Sequence, residues 1–187
     1  MIVLGIDPGS RVSGYAILEI KNLKIKYLRS GIVKINTTGN FPNRLHLIYQ
    51  EFKQIFDSIN ISHVAIESLI HVKNVSSLAK LAQARGAILS AISEKIEIVE
   101  YAPNKIKSSV SGFGHADKLM IHQAIERILG QKIKCQTHDE SDALAVALTH
   151  CISITSGGII SRPNKLDIFS RKNGSIAASI NPSKLKL

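Results

Sequence analysis

Residues 2–7 read Ile-Val-Leu-Gly-Ile-Asp, an apolar run that ends on a carboxylate and is followed at once by Pro8-Gly9. A short apolar run of this kind predicts a buried strand, and the Pro-Gly pair predicts a turn directly after it. Asp7 is thereby fixed at the end of a core strand. The pattern returns at His63–Ser68, where Val64-Ala65-Ile66 leads into Glu67. Two β-rich stretches, about 12–20 and 23–36, follow the first run before any helical period begins, so the chain is expected to open as a three-strand meander.

Leu45, Ile48, Phe52, Ile55 and Ile59 then recur at helical spacing and predict a helix over about 43–58. The stretch 75–94, rich in Ala, Leu and Lys, predicts a second helix, and Glu97–Tyr101 an extended segment. Pro103 and Gly112 to Gly114 punctuate two shorter helical stretches. The last helix is expected over about 138–153, with Leu144, Leu148 and Cys151 as its apolar stripe. Thr137 and Glu140 form a capping-box pattern that sets its start just before Asp139. Strands first, then alternating helices and strands, give an α/β chain with a mixed central sheet and helices on both faces. After about residue 155 the sequence turns to Ser, Gly, Asn, Pro and Lys without a hydrophobic period. The expected organisation is one domain over 1–154 and a basic, poorly ordered tail over 155–187.

The formal net charge is +10, and half of it lies in the tail, where six basic residues face Asp167 alone. A basic body around acidic strand ends fits a nuclease that attracts a polyanion and binds cations at its centre, although a solvated basic surface gives the same total. Cys135 and Cys151 lack metal-type spacing, there is no basic start before an apolar leader, and no run approaches membrane-span length. The expected compartment is the cytoplasm.

Asp139 and Asp142 lie three residues apart, so on a helix they differ by only about 60° around the axis and reach towards one point. Asp7 and Glu67 reach the same point if their strands are neighbours. Four such carboxylates raise one another's pKa unless cations neutralise them, and oxygen-only donors favour hard divalent ions such as Mg²⁺. Two ions about 3.5–4 Å apart would activate water and stabilise a leaving oxygen, which is phosphodiester hydrolysis. Each acid alone also has a plain role: Asp7 as the start of a turn, Glu67 as a strand-end charge, Asp139 as a favourable charge in a first helical turn. His138 and Glu140 point elsewhere and are read as surface or cap residues. Asp-Pro-Gly-Ser after a strand also fits a phosphate cradle of the actin and hexokinase type, though such proteins need two related lobes.

Gly-Ile-Asp-Pro-Gly-Ser-Arg-Val-Ser-Gly-Tyr (5–15), Ala-Ile-Glu (65–67), Gln-Ala-Arg-Gly (83–86) and Asp-Glu-Ser-Asp-Ala-Leu-Ala (139–145) occur in unbroken order. Together they make the chain resemble the RuvC family of Holliday-junction resolvases over about residues 1–153. The resemblance implies an RNase H-like fold and a homodimer that nicks two opposing strands of a four-way DNA junction. It implies Mg²⁺ or Mn²⁺, 5′-phosphate and 3′-hydroxyl ends, and cooperation with the RuvA–RuvB branch-migration machinery. It assigns Asp7, Glu67, Asp139 and Asp142 as the catalytic and metal-binding set. Lys107 and Lys118 match family lysines associated with DNA contact; from the residues alone, solvated helix charges fit them equally. Some family members carry an aromatic three residues after the catalytic Glu, where this chain has Ile70; Ile70 is read as an aliphatic wedge or an apolar loop anchor, with His71 as a substitute. Asn74 and Arg85 are secondary DNA-contact candidates, against a helix cap for Asn74 and an exposed helix charge for Arg85. The rival readings are a non-catalytic junction-binding scaffold and an RNase H-like nuclease with another substrate.

Overall fold

A computed structural model describes residues 1–35, 40–69, 74–93 and 95–157. Strands β1 (Ile2–Asp7), β2 (Val12–Lys21), β3 (Lys24–Lys34), β4 (His63–Glu67) and β5 (Glu97–Tyr101) form one sheet in the order β3-β2-β1-β4-β5. The first three make the expected antiparallel meander, and β4 and β5 extend it in parallel from β1. The helices are α1 (Phe41–Ser58), α2 (Val75–Ser90), α3 (Pro103–Ser111), α4 (Lys118–Leu129) and α5 (His138–Thr155).

Alternation along the strands divides the core in two. Leu4, Ile6, Val64 and Ile66 point to one face, where they are buried with Ile48 and Phe52 of α1 and Ile88 of α2. Val3 and Ala65 point to the other, beneath α3, α4 and α5. Helices therefore cover both faces, as the order of elements predicts. Most of the buried side chains are aliphatic, and each fully buried one contributes on the order of 1.5–3 kcal/mol.

Two boundaries differ from expectation. Helix α2 stops at Ser90 because Ala91 and Ile92 donate to Ile88 and Leu89 at 3.1 Å, three residues back, which tightens and ends the helix. Helix α5 is buried all round from Ala143 to Cys151, beyond the stripe of Leu144, Leu148 and Cys151, because it is sandwiched between the sheet and α3 and α4. It runs to Thr155, and the expected tail from residue 158 onward lies outside the described residues.

One polar chain crosses the α5 side of the core. The Tyr101 hydroxyl lies 2.8 Å from His150 Nδ1, and His150 Nε2 lies 3.2 Å from His63 Nδ1, which faces Glu97 at 3.9 Å. Burial, and secondarily the neighbouring His63, push the His150 imidazole down to about 4 from 6.5. The unfolded chain therefore binds the extra proton first on acidification. Stability from this group is complete above pH 6.5 and declines towards pH 4, by about 3 kcal/mol in all. Urea unfolding at pH 7 and pH 4.5 is expected to show a much smaller difference for His150→Gln than for the native chain. An unchanged difference would assign the acid sensitivity to other groups.

Candidate active site

The parity that splits the core also aims the acids. Asp7 follows Val3 and Gly5 on the α5 side of β1, and Glu67 follows His63 and Ala65 on the same side of β4. The parallel register Gly5↔Ala65, Ile6↔Ile66 brings the two strands to their ends together, so Asp7 and Glu67 are neighbours.

Helix α5 delivers the other two carboxylates. Thr137 Oγ1 accepts from the Glu140 N–H at 3.2 Å, which fixes the first turn and sets Asp139 and Asp142 on successive turns. The second half of the capping box takes a different form. Glu140 Oε2 accepts from the Gln136 N–H at 2.7 Å, one residue before the cap, and Oε1 accepts from Ser30 Oγ at 2.6 Å. Glu140 is thus a buried brace between α5 and β3 rather than a surface group, while His138 is exposed.

Two glycines that the motif reading passed over let α5 sit this close. A Cβ on Gly5 would overlap the Ala143 carbonyl and lie 2.6 Å from Ala147 Cβ. A Cβ on Gly14, the residue paired with Asp7 across β2, would overlap the Asp139 carbonyl itself. The available signal was a lone glycine inside each strand pattern, which marks close approach of another backbone.

The electrostatics follow from this crowding. Burial, then the charges of Glu67, Asp142 and Asp139, push the Asp7 carboxyl up to about 8 from 3.8. Asp7 therefore keeps its proton near neutrality. Glu67 is raised as well, by burial and then by Asp142, with Lys107 and Lys118 pulling in the opposite direction. Glu67, Asp142, Lys107 and Lys118 line one cleft of about 370 Å³ whose apolar wall includes Ile106 and Ile121. Asp7 and Asp139 lie outside that lining, Asp7 beside Glu67 at the end of the neighbouring strand. Lys118 Nζ stands 3.4 Å from Asp142 Oδ2 at the exposed rim.

The donor set fits a hard divalent cation: oxygen-only, several carboxylates, and an excess of negative charge that the two lysines offset only in part. Among the described residues no three acid, His or Cys side chains are gathered closely enough to clasp one ion.

Ile70 and His71 lie outside the described residues. Asn74 caps α2, its side-chain oxygen accepting from the Ser77 N–H at 3.2 Å. Arg85 requires correction, both as a DNA-contact candidate and as an exposed helix charge, because it is only 5% exposed. Its guanidinium donates to the Glu67 carbonyl at 2.6 Å and pairs with Glu100 on β5. Facing the sheet rather than solvent, it fastens the strand end that carries Glu67. Arg85→Met is expected to cost about 3 kcal/mol in stability, because Glu100 loses its partner, and to lower turnover more than substrate affinity. Arg85→Lys should restore part of both. Loss of affinity with unchanged stability would return Arg85 to the DNA-contact set.

Comparison with known proteins identifies the family. The family model described as crossover junction endodeoxyribonuclease RuvC matches residues 3–150. The crossover junction endodeoxyribonuclease RuvC of Haemophilus ducreyi is 39% identical over 177 residues, which cover 94% of this chain and 91% of that protein. That of Finegoldia magna is 41% identical over 151 residues, covering 80% and 92%. Among solved structures, T. thermophilus RuvC in complex with Holliday junction substrate superposes with a TM-score of 0.78 at 29% identity, over 87% of this chain and 99% of that one. The yeast mitochondrial Holliday junction resolvase Ydc2, 15% identical, shares the fold with a TM-score of 0.61. The fold is RNase H-like, as the resemblance implied, and the chain belongs to the RuvC family of crossover junction endodeoxyribonucleases.

Proposed function

We propose that this chain is a divalent-metal-dependent endonuclease that resolves Holliday junctions by paired nicks in two opposing strands, leaving 5′-phosphate and 3′-hydroxyl ends. The observation that carries the reading is one cleft holding Glu67, Asp142, Lys107 and Lys118, with Asp7 beside Glu67 at the ends of two paired strands. Asp7, Glu67, Asp139 and Asp142 would hold Mg²⁺, or Mn²⁺ in its place, with two ions per site once DNA is bound. Such ions supply Lewis-acid activation of water and of the leaving oxygen.

The protein's own contribution is positional. Lys107 and Lys118 meet the phosphate that enters the cleft, and Lys118 exchanges its exposed contact with Asp142 for that phosphate. The Ile106 and Ile121 wall limits water on one side. Asn74 remains a secondary DNA contact through its amide nitrogen, which makes no hydrogen bond among the described residues, and Ile70 is retained as an apolar residue at the junction. A homodimer fits the substrate because two-fold symmetry presents one site to each of two opposing strands. The RuvA–RuvB machinery is the proposed partner that delivers the junction. Cys135 and Cys151 are free thiols, and no helix of the described residues is long and apolar enough to cross a membrane, which accords with a cytoplasmic enzyme.

The test is cleavage of a labelled four-way junction in Mg²⁺, and then Mn²⁺, beside linear duplex of the same sequence. Paired nicks confined to the junction are expected. Binding without nicks would favour a scaffold, and equal cutting of other nucleic acids would favour an RNase H-like nuclease of different substrate.

A further inference from the structure

The segment between α3 and α4 presents an aromatic ring for which the fold has no use. Phe113 is 68% exposed, whereas Phe52 and Phe56 are at most 9% exposed in the core. Its backbone is nonetheless held firmly. The Phe113 N–H donates to Ser111 Oγ at 3.2 Å, and its carbonyl accepts from the Ala116 N–H at 3.2 Å. The Ser111 hydroxyl in turn shares its proton between the Phe113 carbonyl at 3.1 Å and the Lys107 carbonyl at 2.8 Å. Phe113 is thus braced on one side to the residue that carries Lys107 and on the other to Ala116, and Lys107, Ala116 and Lys118 all line the cleft. Leu119, 65% exposed in the first turn of α4, continues this exposed apolar character.

An exposed ring on a fixed backbone loses little freedom when it is covered, so it is pre-organised for contact. The lysines on both sides select the occupant. They favour a phosphate-bearing chain, and the part of such a chain that fits an aromatic face between phosphates is a base. We propose that Phe113 is a nucleobase-contacting residue, its ring stacking on a base of the DNA strand whose phosphates meet Lys107 and Lys118. The inference deepens the endonuclease reading and rests on it. It gives the cleft a sequence-tolerant grip on an unpaired or distorted base beside the strand to be cut, because every base offers a π-face.

The chain contains no tryptophan, so Phe113→Trp introduces a single indole reporter. In an Asp7→Asn background its emission is expected to fall when a four-way junction is added and to recover at high salt. With Asp7 intact, Phe113→Ala should reduce single-turnover cleavage, with enzyme in excess of junction but below saturation, by roughly tenfold or more. Phe113→Trp should retain cleavage, and Phe113→Leu, apolar but without a π-face, should resemble the alanine variant. Since the side chain is exposed, thermal melting of all three should match the native chain. Native cleavage by Phe113→Ala, unquenched indole emission, or full activity of Phe113→Leu would each overturn the stacking role. A change in sedimentation of Phe113→Ala without a change in cleavage would also overturn it, by assigning the ring to a protein contact. Failure of the native chain itself to cut junctions would remove the endonuclease reading and this inference with it, whereas native cutting with an indifferent Phe113 would remove only the inference.

Discussion

Replacing Asp7 with Asn is expected to reduce junction cleavage by roughly 10³-fold or more while leaving junction binding intact. Asn preserves the shape of the side chain, but it removes the charge that a cation would meet. The same substitution has a second signature. Burial and three neighbouring acids raise the Asp7 carboxyl to about 8. A raised acid contributes stability that is complete below its ordinary value of 3.8 and is lost as the pH climbs through about 8. Without divalent metal, the native chain should therefore weaken between pH 5 and pH 8 more than Asp7→Asn does. Added Mg²⁺ should raise the native Tm at pH 8 and raise that of the variant less. Denaturation with and without metal, beside single-turnover cleavage and gel-shift binding, measures all of this. Cleavage surviving the substitution would leave the acids with a structural role only.

Gly14→Ala should be nearly as damaging although it touches no charged group. The added methyl would occupy the space of the Asp139 carbonyl, so the start of α5 must move off β2. Overpacking of this kind costs about 1–3 kcal/mol. A displacement near 1 Å at a reacting centre costs on the order of 10² in rate. Gly86→Ala is the contrasting substitution. Its Cβ would meet nothing within 4 Å, and it sits inside α2. There alanine should stabilise by up to about 1 kcal/mol through helix propensity. A Gly14→Ala protein with native cleavage and stability would show that α5 has slack against the sheet, contrary to the packing described.

The sequence was most informative where burial and periodicity coincide. The apolar runs in 2–7 and 63–68 placed β1 to the residue and β4 to within one residue, and the Thr137 cap placed the start of α5, because each is a local feature of burial or backbone hydrogen bonding. What it could not provide was adjacency. That Asp7 and Glu67 end side by side depends on β4 pairing with β1, a contact between residues about 60 apart that no local spacing encodes. Arg85 was misjudged for a related reason. A basic residue in a predicted helix reads as solvent-facing until the helix has a neighbour, and here that neighbour supplies both the Glu67 carbonyl and Glu100. Glu140 gave a capping signal that was half right, because its second partner, Ser30, lies on a distant strand. Lys107 and Lys118 were found by motif alone, and their presence in one cleft comes from α3 and α4 packing beside α5.

Helix α5 is the last of the described elements in chain order, and it carries two of the four acids. A ribosome therefore releases all five strands before Asp139 and Asp142 have folded into place. Until then one face of the sheet lies bare and the cleft lacks a wall. On the proposed assignment of Asp139 and Asp142, a chain interrupted during synthesis would lack two of the groups that hold the cations, so the cutting site would be completed only in the step that closes the core.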